Sequence, residues 1–203
     1  MFDWLLPEDH AIAILKKDHE RVKQLFKAFE KAKGSAKKKI VRQAVTELKI
    51  HALLEEEIFY PAVRSHVGNQ LMNEADEEHH IAKVLIAELD RGVPADHQDA
   101  KFTVLSESVR HHIGEEESEM LPKAAELKID FEALGRKMLA RKAELIKKGI
   151  PADTEHAVVA MAAGRTDSPA QTAKATHRKT ARRASVNVAR RKVSPAKSRA
   201  AGK

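Results

Sequence analysis

The chain has 203 residues, no cysteine and a formal net charge of +7. This length suits one domain with its own core plus an appendage, and the lack of cysteine excludes disulfides, thiolate metal sites, iron–sulfur clusters and cysteine nucleophiles. The charge is uneven, because residues 165–203 contain 12 lysines and arginines and one acid, whereas residues 1–164 carry a net −4. The basicity therefore belongs to the C-terminal end.

Apolar residues at helical spacing predict an all-α body over residues 1–150. The predicted helices run from Pro7 to Gly34, Ser35 to Gly68, Asn69 to Gly92, Asp96 to Pro122 and Asp130 to Lys147. Ser35, Asn69, Asp96 and Asp130 are the expected N-caps. We expect the first four helices to form an up-and-down four-helix bundle. The fifth contains no histidine and is interpreted as a cover packed on that bundle.

One stretch of the body occurs twice. His51 is followed by Glu55 within a Glu-Glu-Glu run and then by a proline, and His112 and Glu116 repeat this pattern. Upstream, His19 and His79 each follow an acid and precede a lysine by four residues, so the two copies are offset by 60 or 61 residues. An internal repeat of this kind predicts two copies of a helix pair.

The repeated histidines and glutamates fall on the apolar faces of their helices. Residues four apart lie one turn apart on the same face, so a histidine and a glutamate can point at one inward spot. Two uncompensated carboxylates in a bundle core would cost several kcal/mol each. The sequence therefore predicts a metal site whose candidate ligands are His19, His51, Glu55, His79, His112 and Glu116. Imidazole and carboxylate ligands without thiolate favour two iron ions, with manganese or zinc less favoured.

Other histidines and acids are interpreted as surface or outer residues. His80 and His111 point about 100° away from their neighbouring candidate ligands, although His111 with Glu115 is an allowed alternative register for His112 with Glu116. A solvated acidic face is expected for Glu56, Glu57, Glu115, Glu117 and Glu119. The remaining histidines lie outside the repeat: His10, His66, His97, His156 and His177. A ferritin-like di-iron site is disfavoured, because only Glu77–His80 has the Glu-x-x-His spacing in the bundle helices.

These two blocks resemble the hemerythrin-like HHE cation-binding domains, in particular the bacterial branch with a His-x3-Glu-Glu-Glu-Ile-Phe-Tyr-Pro motif. The resemblance covers about residues 8–148. It implies that the four repeat histidines are terminal ligands and that Glu55 and Glu116 bridge two irons. Typical hemerythrins have a fifth histidine one turn after the third-helix ligand, where this chain has Lys83. With that difference, two histidines remain for each ion and rapid oxidation in air is expected.

The first functional hypothesis is a non-enzymatic di-iron protein that carries, senses or stores dioxygen, iron or a related small oxidant. The competing hypothesis is a redox enzyme that reduces peroxide or nitric oxide at the same site. No secretory signal is present, and no run of about 18 apolar residues predicts a membrane span. We therefore expect a cytoplasmic protein with no membrane partner, and the pattern leaves its oligomeric state open.

The C-terminal part is predicted to lack a core. Residues 151–164 are interpreted as a linker with one weak helix at 154–163, and residues 165–203 as a disordered tail rich in lysine, arginine and alanine. The tail resembles the basic tails of linker-histone-like proteins. Its excess of 11 positive charges predicts nonspecific nucleic-acid binding, and the alternative interpretation is a solubilising extension.

Overall fold

The structure is a computed structural model that describes residues 6–151. Within that range all regular elements are helical: α1 (Ala11–Lys31), α2 (Ser35–Leu54), α3 (Tyr60–Val67), α4 (Asn69–Arg91), α5 (Ala95–Glu115), α6 (Leu121–Ala125) and α7 (Phe131–Lys148). The predicted helix at 154–163 and the predicted disordered tail lie outside the described residues. No helix in the described range is long and apolar enough to cross a membrane.

The bundle is formed by four long helical segments that are connected by short turns. α1 packs on α2 and α5, and α4 packs on α5 and α2, so the four helices close into a ring. The connection between α1 and α2 spans residues 32–34, and the one between α4 and α5 spans residues 92–94. Short connections place successive helices antiparallel. The predicted all-α helical bundle is confirmed.

Three of the four predicted N-caps are displaced. Ser35 and Asn69 are the first residues of their helices, and the preceding Gly34 and Gly68 occupy the cap positions at positive φ, with no side-chain cap bond. α5 starts at Ala95, so its cap position is Pro94, two residues before Asp96. A glycine at positive φ makes a tight corner that other residues resist. The cap predicted at Asp130 is confirmed, since its carboxylate accepts a hydrogen bond from the backbone N–H of Ala133.

A wide helical turn interrupts two of the long helices of the bundle, one between α2 and α3 and the other between α5 and α6. A π-helical segment spans Glu55–Phe59 between α2 and α3, and a second spans Glu116–Met120 between α5 and α6. Each segment begins at a candidate ligand, and each precedes a proline near the start of the next helix. Proline has no N–H and its ring clashes with the carbonyl four residues back, so an extra residue in the turn accommodates it. The extra residue also lets adjacent side chains, such as Phe59 and Tyr60, both face the core.

The core consists of two apolar clusters at different levels of the bundle. One contains Leu15, Leu54 and Met138, and the other contains Val22, Phe26 and Phe102. His19 lies between Leu15 and Val22 on the same face of α1, one turn from each. The candidate ligands therefore occupy a polar layer between the two apolar clusters.

Helix α7 covers one side of the bundle, as predicted. It packs on α1 and α2, and a Cβ atom at Gly135 would lie 1.8 Å from the backbone oxygen of Asp9, so only glycine permits this close approach. Arg141 forms two hydrogen bonds to Glu57 at 2.7 and 3.0 Å. Lys142 donates to Asp18 on α1. The cover helix is thus linked to residues that neighbour the candidate ligands.

Candidate metal centre

The structure brings all six predicted site residues together in the interior of the bundle. His19 projects from α1, His51 from α2, His79 from α4 and His112 from α5, while Glu55 and Glu116 start the two π segments. Each of the six residues is at most 6% exposed. The repeat in the sequence therefore corresponds to one central constellation.

The ligand atoms form two groups that share one glutamate. The first group contains His19, His51, Glu55 and Glu116, and the second contains Glu55, His79 and His112. Within each group, the nitrogen and oxygen atoms lie within 4.8 Å of one another. Glu55 connects the groups, because Oε1 lies 3.1 Å from Nε2 of His51 and Oε2 lies 3.3 Å from Nε2 of His79.

Glu116 occupies the corresponding position in the second repeat. Its Oε2 lies 3.2 Å from Nε2 of His19 and 3.5 Å from Nε2 of His112. Each glutamate therefore lies between histidines of opposite helix pairs. The arrangement has approximate twofold symmetry, as the sequence repeat requires.

Several buried nitrogen and oxygen atoms of the central histidines and glutamates have no hydrogen-bond partner. In residues 6–151, each fully buried side-chain nitrogen or oxygen without a hydrogen-bond partner belongs to this centre or to Asp18: Asp18 Oδ2, His19 Nε2, His51 Nδ1, His51 Nε2, Glu55 Oε1, Glu55 Oε2 and Glu116 Oε2. Buried polar atoms are normally paired, and each exception requires an explanation. Convergent imidazole nitrogens and carboxylate oxygens are suitable donors for a transition-metal cation. The donor set therefore fits a bound metal.

An outer carboxylate lies beside the second nitrogen of every central histidine. Nδ1 of His79 is 2.8 Å from Glu56, and Nδ1 of His19 is 2.9 Å from Glu117. Nδ1 of His112 is 2.8 Å from Glu78. An imidazole that binds a metal through Nε2 keeps its proton on Nδ1, and an acceptor there fixes the ring and increases the basicity of the ligand.

The fourth outer contact is longer. Nδ1 of His51 is 3.9 Å from Oδ2 of Asp18, while Lys142 donates to the other oxygen of that carboxylate. The outer contacts also cross between helices, because Asp18 precedes His19 but faces His51, and Glu78 precedes His79 but faces His112. The acids that precede His19 and His79 thus contact the histidine of the next long helix rather than their neighbour in sequence.

The interpretation of Glu56 and Glu117 as a solvated face is wrong. Their side chains are 29% and 32% exposed, and both contact central histidines. They also accept from lysines, since Lys83 pairs with Glu56 and Lys23 pairs with Glu117. The side chains of both lysines are about three-quarters buried. The equal spacing of these lysines and glutamates in the two repeats was the available sequence signal.

A buried tyrosine breaks the symmetry of the centre. The hydroxyl of Tyr60 donates to Oε1 of Glu116 at 2.8 Å and lies 3.2 Å from Nε2 of His79. The equivalent position in the second repeat is Leu121. Tyr60 thereby orients one oxygen of Glu116 from one side only, and the sequence pattern alone did not identify this contact.

The electrostatics of the centre without a cation favour charged pairs. Burial alone would lower the pKa of His51, but Glu55 and Asp18 raise it to about 10. Burial likewise opposes protonation of His79, but hydrogen bonds to Glu55 and Glu56 raise its pKa to about 9. The hydrogen bond from His19 lowers the pKa of Glu117 to about 2. Protons on the histidines therefore offset the buried carboxylates until a cation replaces them.

A small cavity adjoins the central histidines. Its volume is about 50 Å³, and its walls include the four histidines together with Val22, Leu48 and Ile86. A space of about 10–15 Å³ on this measure holds one water-sized molecule. The cavity thus provides room beside the ligand atoms for a small reactant in mostly aliphatic surroundings.

His111 and Glu115, the alternative ligand pair on the fourth long helix, lie outside the centre. The side chain of His111 is 68% exposed, whereas His112 is buried among the other candidate ligands. His111 and Glu115 instead form a separate group with Glu78 on the surface. Among the histidines outside the repeat, His10 caps α1 and stacks on Phe131. His156 and His177 lie outside the described residues.

Comparison with known proteins identifies a family. The model of the hemerythrin HHE cation-binding domain matches residues 10–124, which excludes α7 and is shorter than the resemblance expected from sequence. The chain is also similar to a solved structure, an HHE cation-binding domain-containing protein from Mycobacterium kansasii. The two are 26% identical with a TM-score of 0.57, and the match covers 66% of this chain and 86% of the other. No curated protein matches the sequence.

The family match spans more than half of the chain and includes all six central residues. The structural match agrees with it in fold. The chain therefore belongs to the hemerythrin HHE cation-binding domain family, and its histidine and glutamate clusters make it a metal-cation-binding protein.

Proposed function

We propose that this protein binds two iron ions in the centre of the bundle. His19, His51, Glu55 and Glu116 would hold one ion, and His79 and His112 with Glu55 would hold the other. The observation that carries the proposal is the sharing of Glu55 by two ligand groups. A carboxylate shared between two histidine-bound cations suits a dinuclear iron site.

The proposed role is to carry, sense or store dioxygen, iron or a related small oxidant. Bound iron would supply a redox-active centre for such a ligand. The chain contributes a small cavity beside the central histidines that has room for such a ligand. Its outer carboxylates hold three of the four imidazole rings in place, those of His19, His79 and His112, and such contacts typically change metal affinity by about 10–100-fold.

Metal analysis and optical spectroscopy test this proposal. Protein purified without chelator should contain close to two irons per chain. The reduced, iron-loaded protein should change its optical spectrum on mixing with dioxygen, while a metal-free sample should not. One tightly bound zinc without iron would contradict the proposal.

One observation favours the redox enzyme as a second candidate. Lys83, which occupies the fifth-histidine position, pairs with Glu56 instead, so each group contains only two histidines. Fewer protein donors leave more positions for a substrate. Sustained turnover of peroxide or nitric oxide, lost on chelation, would favour the enzyme over the carrier or sensor.

Cation binding is expected to release protons. Metal ligation requires neutral imidazoles, and His51 and His79 have pKa values of about 10 and about 9 before a cation binds. At about pH 7.5, loading should therefore release protons, and apparent affinity should increase as pH rises. Titration of Fe²⁺ into weakly buffered, anaerobic protein with a pH indicator measures the release. Binding that takes up protons would contradict this protonation pattern.

The basic tail carries a separate proposal of nucleic-acid association. Residues 165–203 have an excess of 11 positive charges, whereas residues 1–164 are net negative. Deletion of residues 165–203 should abolish retention on double-stranded DNA at low salt and leave metal content unchanged, because polyanion binding depends on the local cation density. Retention measured against salt concentration checks this, and retention by the truncated protein would refute it.

A further inference from the structure

The two halves of the bundle also differ at two pairs of equivalent positions on α2 and α5. His111 and Glu115 in the second repeat correspond to Ile50 and Leu54 in the first. Ile50 and Leu54 are buried in the apolar cluster that includes residues of α7. In the second repeat the same face carries a polar pair, and His111 is 68% exposed. The cover helix therefore closes one half, and the other half presents a histidine and a glutamate to solvent.

The outer carboxylates differ in the same way. Asp18, which faces His51, forms an ion pair with Lys142 of the cover helix. Its counterpart Glu78 faces His112 with one oxygen, and its other oxygen lies 3.6 Å from Nε2 of His111. A lysine thus neutralises the first carboxylate, whereas a potential metal ligand lies beside the second.

Three donors converge at this surface position. His111 Nε2 lies 3.3 Å from Oε1 of Glu115 one turn along α5, and Glu78 reaches the pair from α4. Ligand atoms of Glu78, His111 and Glu115 all lie within 4.8 Å of one another. One imidazole and two carboxylates form a donor set typical of divalent transition metals.

Glu78 links this group to the centre. Glu78 lines the cavity beside the central histidines, and its Oε2 is 2.8 Å from Nδ1 of His112. Glu78 is therefore shared between a solvent-facing group and the wall of the buried site. Only one imidazole ring separates it from the central ligand atoms.

We propose that Glu78, His111 and Glu115 form an outer site that captures a divalent transition-metal cation and delivers it to the buried centre. This inference rests on the proposed function, because it requires a centre that takes up cations. The outer site binds more weakly than the centre, since His111 is largely exposed and offers no enclosed cage. Its two carboxylates raise the local cation concentration at the uncovered half of the bundle.

The test uses Co²⁺, which accepts nitrogen and oxygen ligands and broadens nearby NMR signals. The full chain is compared with the double variant His111→Ala/Glu115→Gln, which leaves Glu78 and the central residues intact. A matched control is His66→Ala, which removes an exposed histidine elsewhere. Stopped-flow absorbance at limiting Co²⁺ measures loading, and histidine NMR spectra locate the bound ion.

The double variant is expected to load its centre at least about fivefold more slowly, because charged entrances raise association rates by about 10–10³-fold. Its final Co²⁺ content at the centre should equal that of the full chain and of the control. After the centre is filled, further Co²⁺ should broaden the His111 signals of the full chain. Equal loading rates in the double variant and the full chain, or no effect of Co²⁺ on the His111 signals, would contradict the proposed outer site. Absence of any effect on the four buried histidines would instead refute the proposed function.

Discussion

Replacement of Glu55 by glutamine is expected to weaken binding of both cations by more than about 100-fold, since outer partners alone contribute about 10–100-fold. Glu55 is the residue shared by the two ligand groups, with one oxygen toward His51 and the other toward His79. Glutamine preserves the shape but removes the charge and replaces one oxygen with an amide nitrogen, which cannot ligate in the same way. Metal content after dialysis and isothermal titration with Fe²⁺ under anaerobic conditions measure the loss.

Glu57→Gln is the matched control, because Glu57 lies in the same π segment but is 39% exposed and pairs with Arg141. This variant should retain both cations. Circular dichroism of the metal-free proteins verifies that the Glu55→Gln bundle still folds. Full metal content in Glu55→Gln would show that this carboxylate does not connect two cation sites.

Periodicity predicted the bundle and its central residues because the relevant distances are local. Histidine and glutamate four residues apart share a helix face in any helix, so His51 with Glu55 and His112 with Glu116 were predictable. The repeat then indicated that His19 and His79 meet them. The fold and the six central positions follow from helical spacing and internal symmetry.

The wide turns and the outer carboxylates were harder to predict because they depend on the path of the chain after the ligand. Each π segment adds a residue to one turn, so the α-helical period fails beyond Glu55 and Glu116. The contacts of Glu56 and Glu117 cross to other helices, and no local pattern specifies such a partner. The proline that ends each repeat block indicates where the helix is disturbed, but it does not by itself specify a wider turn.

Cation binding is expected to stabilise the bundle strongly. At a free Fe²⁺ concentration of 100–1,000 times Kd, one site contributes about 3–4 kcal/mol, which corresponds to an increase in Tm of roughly 6–16 °C for a domain of this size. His51→Ala should abolish most of that gain, because it removes a donor of the first group and leaves Glu55 without one of its partners. Thermal unfolding of loaded and chelator-treated protein under anaerobic conditions measures the difference.

The stabilisation should also increase with pH, from about pH 6 to about pH 8. Before a cation binds, His51 and His79 have raised pKa values of about 10 and about 9. Their contribution to stability is therefore fully present below the unfolded value of about 6.5 and is lost as pH rises through the folded values. The cation competes with those same protons, so its binding strengthens while the metal-free bundle loses stability. A difference in Tm that shrinks as pH rises would mean that protons do not hold the buried carboxylates in the metal-free state.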